Sequence, residues 1–94
     1  MKFATIYRPK YPAPPELIPD LLKEMGAWMQ RYADRLENVQ FFIGGGGFGT
    51  VDSDDAALLA KMITEHPFTI YSDVEIKPLV DPATALGILQ ETYS

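Results

Sequence analysis

Val39-Gln40-Phe41-Phe42-Ile43-Gly44-Gly45-Gly46-Gly47-Phe48-Gly49-Thr50-Val51-Asp52 is the stretch on which the fold turns. Val39 to Ile43 is almost wholly apolar, the pattern of a short strand buried on both sides. Gly44 to Gly47 then break the run, because glycine reaches the positive φ values that a tight reversal requires. From Phe48 to Asp52 extended structure resumes, so the stretch reads as two strands joined by a glycine turn. The rest of the chain is placed around this pair.

Upstream, Lys2 to Tyr7 alternates Phe3, Thr5 and Tyr7 against Ala4 and Ile6, the β-branched and aromatic style of a strand. Pro9, Pro12, Pro14 and Pro15 make the following segment stiff and unable to pair regularly. Ile18, Leu21, Leu22, Met25, Trp28, Met29, Tyr32 and Leu36 then recur at helical spacing, with Pro19 confined to the first turn. Downstream, Asp52 or Ser53 is expected to cap a helix with Asp54 and Asp55 in its first turn and Leu58, Leu59, Met62 and Ile63 on its buried stripe. His66-Pro67 ends that helix. Tyr71 to Leu79 alternates once more, with Val74 and Ile76 on one side and Tyr71, Asp73, Glu75 and Lys77 on the other. Asp81-Pro82 opens a last helix with a thin stripe of Leu86, Leu89 and Tyr93, weakened by Gly87.

The order β-α-β-β-α-β with a short C-terminal helix predicts the α+β class and a ferredoxin-like fold built on a four-stranded antiparallel sheet. With 94 residues, one domain spanning 1–94 is expected. A net charge of −5 and scattered Lys and Arg argue against binding to nucleic acid, whose affinity comes from clustered basic residues. No apolar run is long enough to span a membrane and no basic, apolar signal opens the chain, so no membrane association and a cytoplasmic location are expected. Without cysteine, and with a single histidine, neither a disulfide framework nor a typical zinc site can be assembled. No cofactor is expected.

Two helices cover only one face of a four-stranded sheet, and here both faces carry large apolar residues: Phe3 and Tyr7 against Ala4 and Ile6, Phe41 and Ile43 against Phe42. An uncovered face of that kind is an association surface, so a homodimer through the sheet faces is expected. A small organic ligand is then expected between the paired sheets.

His66 to Val80, His-Pro-Phe-Thr-Ile-Tyr-Ser-Asp-Val-Glu-Ile-Lys-Pro-Leu-Val, resembles the end of the muconolactone isomerase family, in which a helix closes on a proline-containing turn before an acidic, alternating strand. Gly47 to Met62 fits the same pattern, and together the two stretches cover roughly a third of the chain. The resemblance implies the dimeric α+β barrel superfamily, whose ferredoxin-like subunits pair through their sheets and whose members include isomerases and cofactor-independent oxygenases. The Pro-rich segment, the four-glycine turn and a shorter tail depart from the isomerase.

Several residues are candidates for chemistry. Gly44, Gly46 and Gly49 satisfy G-x-G-x-x-G but lead into a strand rather than a helix, which favours a turn over a phosphate cradle. His66 is the one side chain that ordinarily titrates near neutrality, and it either moves a proton or satisfies the free carbonyls of a helix end. Asp73 and Glu75 share a strand face with Tyr71, so they either supply a proton-transfer group beside a hydrogen-bond donor or form ion pairs with Lys77 or Arg8. Tyr7, Arg8, Trp28, Tyr32 and Phe41 are read as an aromatic cavity with a guanidinium for a carboxylate, against the alternative that Trp28 and Tyr32 are core. Two functions follow: a metal-free isomerase or cyclase using His66, Asp73 or Glu75, and a non-catalytic dimer that binds a metabolite or serves assembly.

Overall fold

The first strand, β1 (Lys2–Pro9), runs through the centre of the sheet and pairs antiparallel on both edges, so its backbone hydrogen bonds are met on either side. This computed structural model describes all 94 residues. β1 is followed by a 3-10 turn at Pro15–Leu17 and by α1 (Ile18–Arg31), with proline in the first turn, where its missing N–H costs nothing. β2 (Leu36–Phe41) and β3 (Gly47–Asp52) form the hairpin, α2 (Ala56–Glu65) follows, and β4 (Ser72–Leu79) and α3 (Pro82–Tyr93) complete the chain. The sheet order is β2-β3-β1-β4, with every neighbouring pair antiparallel, as the ferredoxin-like reading requires. No helix is long and apolar enough to cross a membrane.

Register divides the side chains of the sheet. Tyr7 stands opposite Val74 and Gly47, and Thr5 opposite Ile76 and Gly49, so these positions share the face on which the helices lie. Ile6 stands opposite Glu75 and Phe48, and Arg8 opposite Asp73, on the outer face. The core lies between the inner face and the helices: Val51 and Met62 are fully buried, with Trp28, Tyr32 and Leu59 around them.

Four local expectations are corrected. The apolar spacing through Tyr32 and Leu36 suggests one continuous helix, but α1 stops at Arg31, Tyr32 serves as its C-cap and Leu36 opens β2. Helical and extended periodicities coincide over so short a stretch, and the intervening turn carries no glycine or proline to mark the break. Val39 to Ile43 is not buried on both sides, because β2 is an edge strand, Phe41 is mostly exposed and Ile43 is fully exposed. The second helix is capped by Asp55, whose carboxylate accepts the Ala57 N–H, while Ser53 is tied to Asp55 in the preceding turn. Tyr71 belongs to a 3-10 turn ahead of β4 and not to the strand.

The glycine turn does more than reverse the chain. Gly46 has φ +81°, and a Cβ there would lie 2.3 Å from the Tyr7 carbonyl oxygen, so only glycine lets the hairpin loop lie against the end of β1. Gly46→Ala is expected to cost roughly 1–3 kcal/mol, since it meets both a left-handed backbone and a backbone collision. Urea denaturation at neutral pH measures it, and a loss near zero would mean the loop does not press on β1.

Candidate functional site

β1, α1 and the two loops at one end of the sheet leave a space between them that their side chains do not fill. Tyr7 and Thr5 project into it from β1, Trp28, Met25 and Leu22 from α1, and Phe41 from the end of β2. A backbone irregularity between Glu37 and Gln40, with Asn38 at φ 54°, turns Val39 towards Gly49 and into the same space. His66 and Phe68 enter from the end of α2, and Tyr71 and Ser72 from the turn before β4. The result is a cavity of about 380 Å³, of a size that suits a small organic ligand. No Asp, Glu, Lys or Arg lines it.

Its polar groups are neutral and specifically placed. The His66 ring stacks on Tyr7 at 4.0 Å between centroids and meets Trp28 edge-on at 4.7 Å. His66 Nδ1 accepts the Phe68 N–H at 3.1 Å, which fixes the tautomer with the proton on Nε2. Burial pushes the imidazole down to about 4, so the ring is neutral across the physiological range. Nε2 makes no hydrogen bond to the protein and is not sealed from the cavity. Burial likewise pushes the Tyr7 phenol up to about 12. The Thr69 hydroxyl is near enough to temper that rise, yet it donates its hydrogen to the Ile63 carbonyl at 2.6 Å and leaves the phenol oxygen, buried, without a hydrogen-bond partner. Trp28 is different, since its Nε1 donates to the Met62 carbonyl at 2.9 Å and holds α1 to the end of α2.

The structure brings His66, Tyr7, Trp28, Phe41 and Tyr71 together around this cavity and leaves the other candidates outside it. Asp73 and Glu75 lie on the outer face, where Lys10 is 3.5 Å from Asp73 and Arg8 is 2.7 Å from Glu75. The Arg8 guanidinium, followed by Lys77, holds the Glu75 carboxyl below the usual carboxylate range. The ion-pair reading of Asp73 and Glu75 therefore describes their surroundings, and Arg8 is turned away from the cavity. Tyr32 is core on its ring and hydrogen-bonds Glu65 through its hydroxyl, beside Arg31. The cavity lies within the subunit, on the helix side of the sheet. Thr5, Val39, Gln40, Phe68 and Ser72 also line it, and the sequence signals for them are slight: Thr5 shares strand parity with Tyr7, and Phe68 follows His66 by two positions.

The profile of a family described as a domain of unknown function, DUF3303, matches residues 1–93. No curated protein matches the chain significantly. Among solved structures, muconolactone isomerase is similar at a TM-score of 0.75 and 19% identity, covering 88% of this chain and 93% of that one. The 5-chloro-2-hydroxyhydroquinone dehydrochlorinase of Burkholderia phenoliruptrix, determined in complex with 2,5-dihydroxybenzoquinone, is similar at a TM-score of 0.72 and 13% identity, covering 89% of this chain and 98% of that one. At these identities the likeness establishes the fold alone, the α+β arrangement of a four-stranded antiparallel sheet and helices seen in muconolactone isomerase.

Proposed function

Since this chain belongs to the DUF3303 family and has the muconolactone isomerase-like fold, we propose that it binds and processes a small, ring-shaped organic molecule bearing a carbonyl or hydroxyl oxygen, as an isomerase or cyclase working through hydrogen bonds. The observation that carries this reading is an apolar cavity with no charged side chain, in which His66 Nε2–H is an unspent donor and the Tyr7 ring, its hydroxyl sealed off, forms the wall beneath it. A carbonyl oxygen that accepts a hydrogen bond from a neutral donor is polarised, and the enol or enolate that forms from it is stabilised without a buried charge on the protein. The quinone held by the dehydrochlorinase of the same fold belongs to this chemical class.

His66 is the catalytic residue of this reading, and the Tyr7 ring stacked on it holds the imidazole in place. Its role is donation from Nε2, because Nδ1 is committed to Phe68 and an imidazole titrating near 4 is a weak base. Asp73 and Glu75 lie across the sheet and are not proposed to touch substrate. That no carboxylate lines the cavity favours a second reading, a module that binds such a ligand without turning it over.

Quenching of Trp28, the single tryptophan, by hydroxyquinones and by their unoxygenated ring analogues tests the proposal. Oxygenated rings are expected to bind the more tightly, and His66→Phe to weaken them by about 3- to 10-fold, the worth of one net hydrogen bond. Equal affinity for both sets would sink the polar part of the reading. Turnover of an activated lactone or enol by the wild type, lost in His66→Phe, separates enzyme from module.

A homodimer through the outer sheet face is also proposed. Ala4, Ile6, Phe48 and Leu79 supply apolar surface there, framed by the Lys2–Glu37, Arg8–Glu75 and Lys10–Asp73 ion pairs. Elution as a monomer at micromolar concentration in gel filtration would overturn it.

A further inference from the structure

β3 lies inside the sheet, between β2 and β1, and it carries Gly49 within its length. Glycine weakens an interior strand, because it adds backbone freedom to the unfolded chain and brings no side chain to pack. Two neighbouring glycines have a reason in the backbone. A Cβ at Gly46 would strike the Tyr7 carbonyl oxygen, and one at Gly47 would lie 2.5 Å from the Gln40 carbonyl oxygen. Gly49 has no such reason. Its φ is not left-handed, and a Cβ built on it would meet Val39 Cγ2 at 3.5 Å, the Glu37 carbonyl oxygen at 3.9 Å and Thr5 Oγ1 at 4.0 Å, all ordinary contacts. The fold would accept alanine there.

The cavity supplies the missing reason. Gly49 is buried and lines it, standing opposite Thr5 in the register and therefore on the face that Thr5 and Tyr7 share. Where a strand omits its side chain beside a cavity, a ligand can lie against the backbone itself.

The polar groups nearby narrow the ligand. Thr5 is buried, and its hydroxyl donates to the Gly49 carbonyl at 3.2 Å, which commits its hydrogen and leaves its lone pairs. A ligand group resting where a Gly49 side chain would be lies beside that oxygen and gains by donating to it. His66, stacked on Tyr7, asks for the opposite, since its Nε2–H donates. Tyr7 and Thr5 are one strand repeat apart, about 7 Å. A flat ring with an accepting oxygen at one end and a hydroxyl at the other answers both.

We propose that Gly49 determines specificity: its missing side chain makes room for the flat ring of a hydroxylated carbonyl compound, whose hydroxyl donates to Thr5 while its carbonyl oxygen accepts from His66. This inference rests on the cavity being the ligand site described above, and adds the residue that sets its shape and the second polar group its ligand carries.

Gly49→Ala in the full-length chain tests it. The variant is expected to unfold in urea at a midpoint equal to or above that of the wild type, because alanine fits and restricts the unfolded chain. It is nevertheless expected to bind para-hydroxyacetophenone in equilibrium dialysis at least about 10-fold more weakly, since its methyl stands where the ring lies. A lowered midpoint would show that the fold requires this glycine, and unchanged affinity that no ligand rests on it; either overturns the proposal. The wild type is expected to prefer para-hydroxyacetophenone to acetophenone by about 3- to 10-fold, and Thr5→Val, which keeps the shape and removes the acceptor, to lose that preference. Equal affinities in the wild type, or a preference that persists in Thr5→Val, would overturn the assignment of Thr5. His66→Phe keeps the two readings apart. Weakened binding in His66→Phe with unchanged binding in Gly49→Ala sinks this inference and leaves the polar cavity standing, whereas a wild type that binds neither ketone sinks both.

Discussion

Trp28→Ala is expected to remove roughly 3–5 kcal/mol of unfolding free energy, the largest loss of any single truncation in this chain. The indole is buried in the core cluster with Tyr32, Val51, Leu59 and Met62, and it is also the wall between that core and the cavity. Its removal would therefore merge a new void with an existing space of about 380 Å³, and neighbours that border an opening gain little by collapsing into it. Edge contacts to His66 at 4.7 Å and to Tyr32 at 5.8 Å are lost as well. Trp28→Phe keeps most of the apolar area and loses the N–H that bonds Met62 O, so about 1 kcal/mol is expected beyond the volume change. The Met62 carbonyl still accepts the His66 N–H at 3.1 Å, which limits the penalty. Urea denaturation followed by far-UV circular dichroism measures both variants, as the intrinsic fluorophore is gone. Losses below about 1 kcal/mol for the alanine variant would mean that Trp28 is a surface residue of the cavity and not a strut of the core.

Much of the fold is legible in the sequence because its signals are local. Alternation marks β1 and β4, proline at position 19 marks the first turn of α1, His66-Pro67 marks the end of α2, and Asp81-Pro82 the start of α3. The site is less legible because it depends on register. Alternation within β4 says that Asp73 and Glu75 share a side but not which side meets Tyr7. The pairing of Tyr7 with Val74 sends the carboxylates to the outer face. Tyr71 illustrates the same point at an element boundary. Its parity with Asp73 suggests a shared face, yet the residue precedes the strand in a 3-10 turn, where strand parity has no meaning, and it reaches the cavity from there. Trp28 and Tyr32 differ by one helical turn, and the end of α1 between them gives the first to the cavity and the second to Glu65. The stacked pair of Tyr7 and His66 joins residues 59 positions apart, from a central strand and a helix end, and no periodicity connects them.

Acidification should expose that pair before it affects the carboxylates. His66 titrates near 4 in the folded protein and at its ordinary value of 6.5 when unfolded, so between those values the unfolded chain holds more protons. Stability is then fully present above pH 6.5 and is lost as pH falls towards 4, by about 3 kcal/mol over the whole window. The groups packed on the ring are Tyr7, Trp28 and Phe68, none of which carries a charge that could compensate the imidazolium. Glu65, Glu75, Asp54 and Asp81 are all held below their ordinary values by hydrogen bonds, and they begin to matter only where unfolded carboxylates protonate, at about 4.5 and below. With one histidine in the chain, the slope between pH 6.5 and 5 belongs to His66. Urea unfolding at half-unit steps through that range is expected to show falling stability in the wild type and a flat profile in His66→Gln, even if the variant is less stable at neutrality. Parallel slopes for the two proteins would mean that His66 is solvated in the folded state, and the case for a neutral donor at the cavity wall would fall with it.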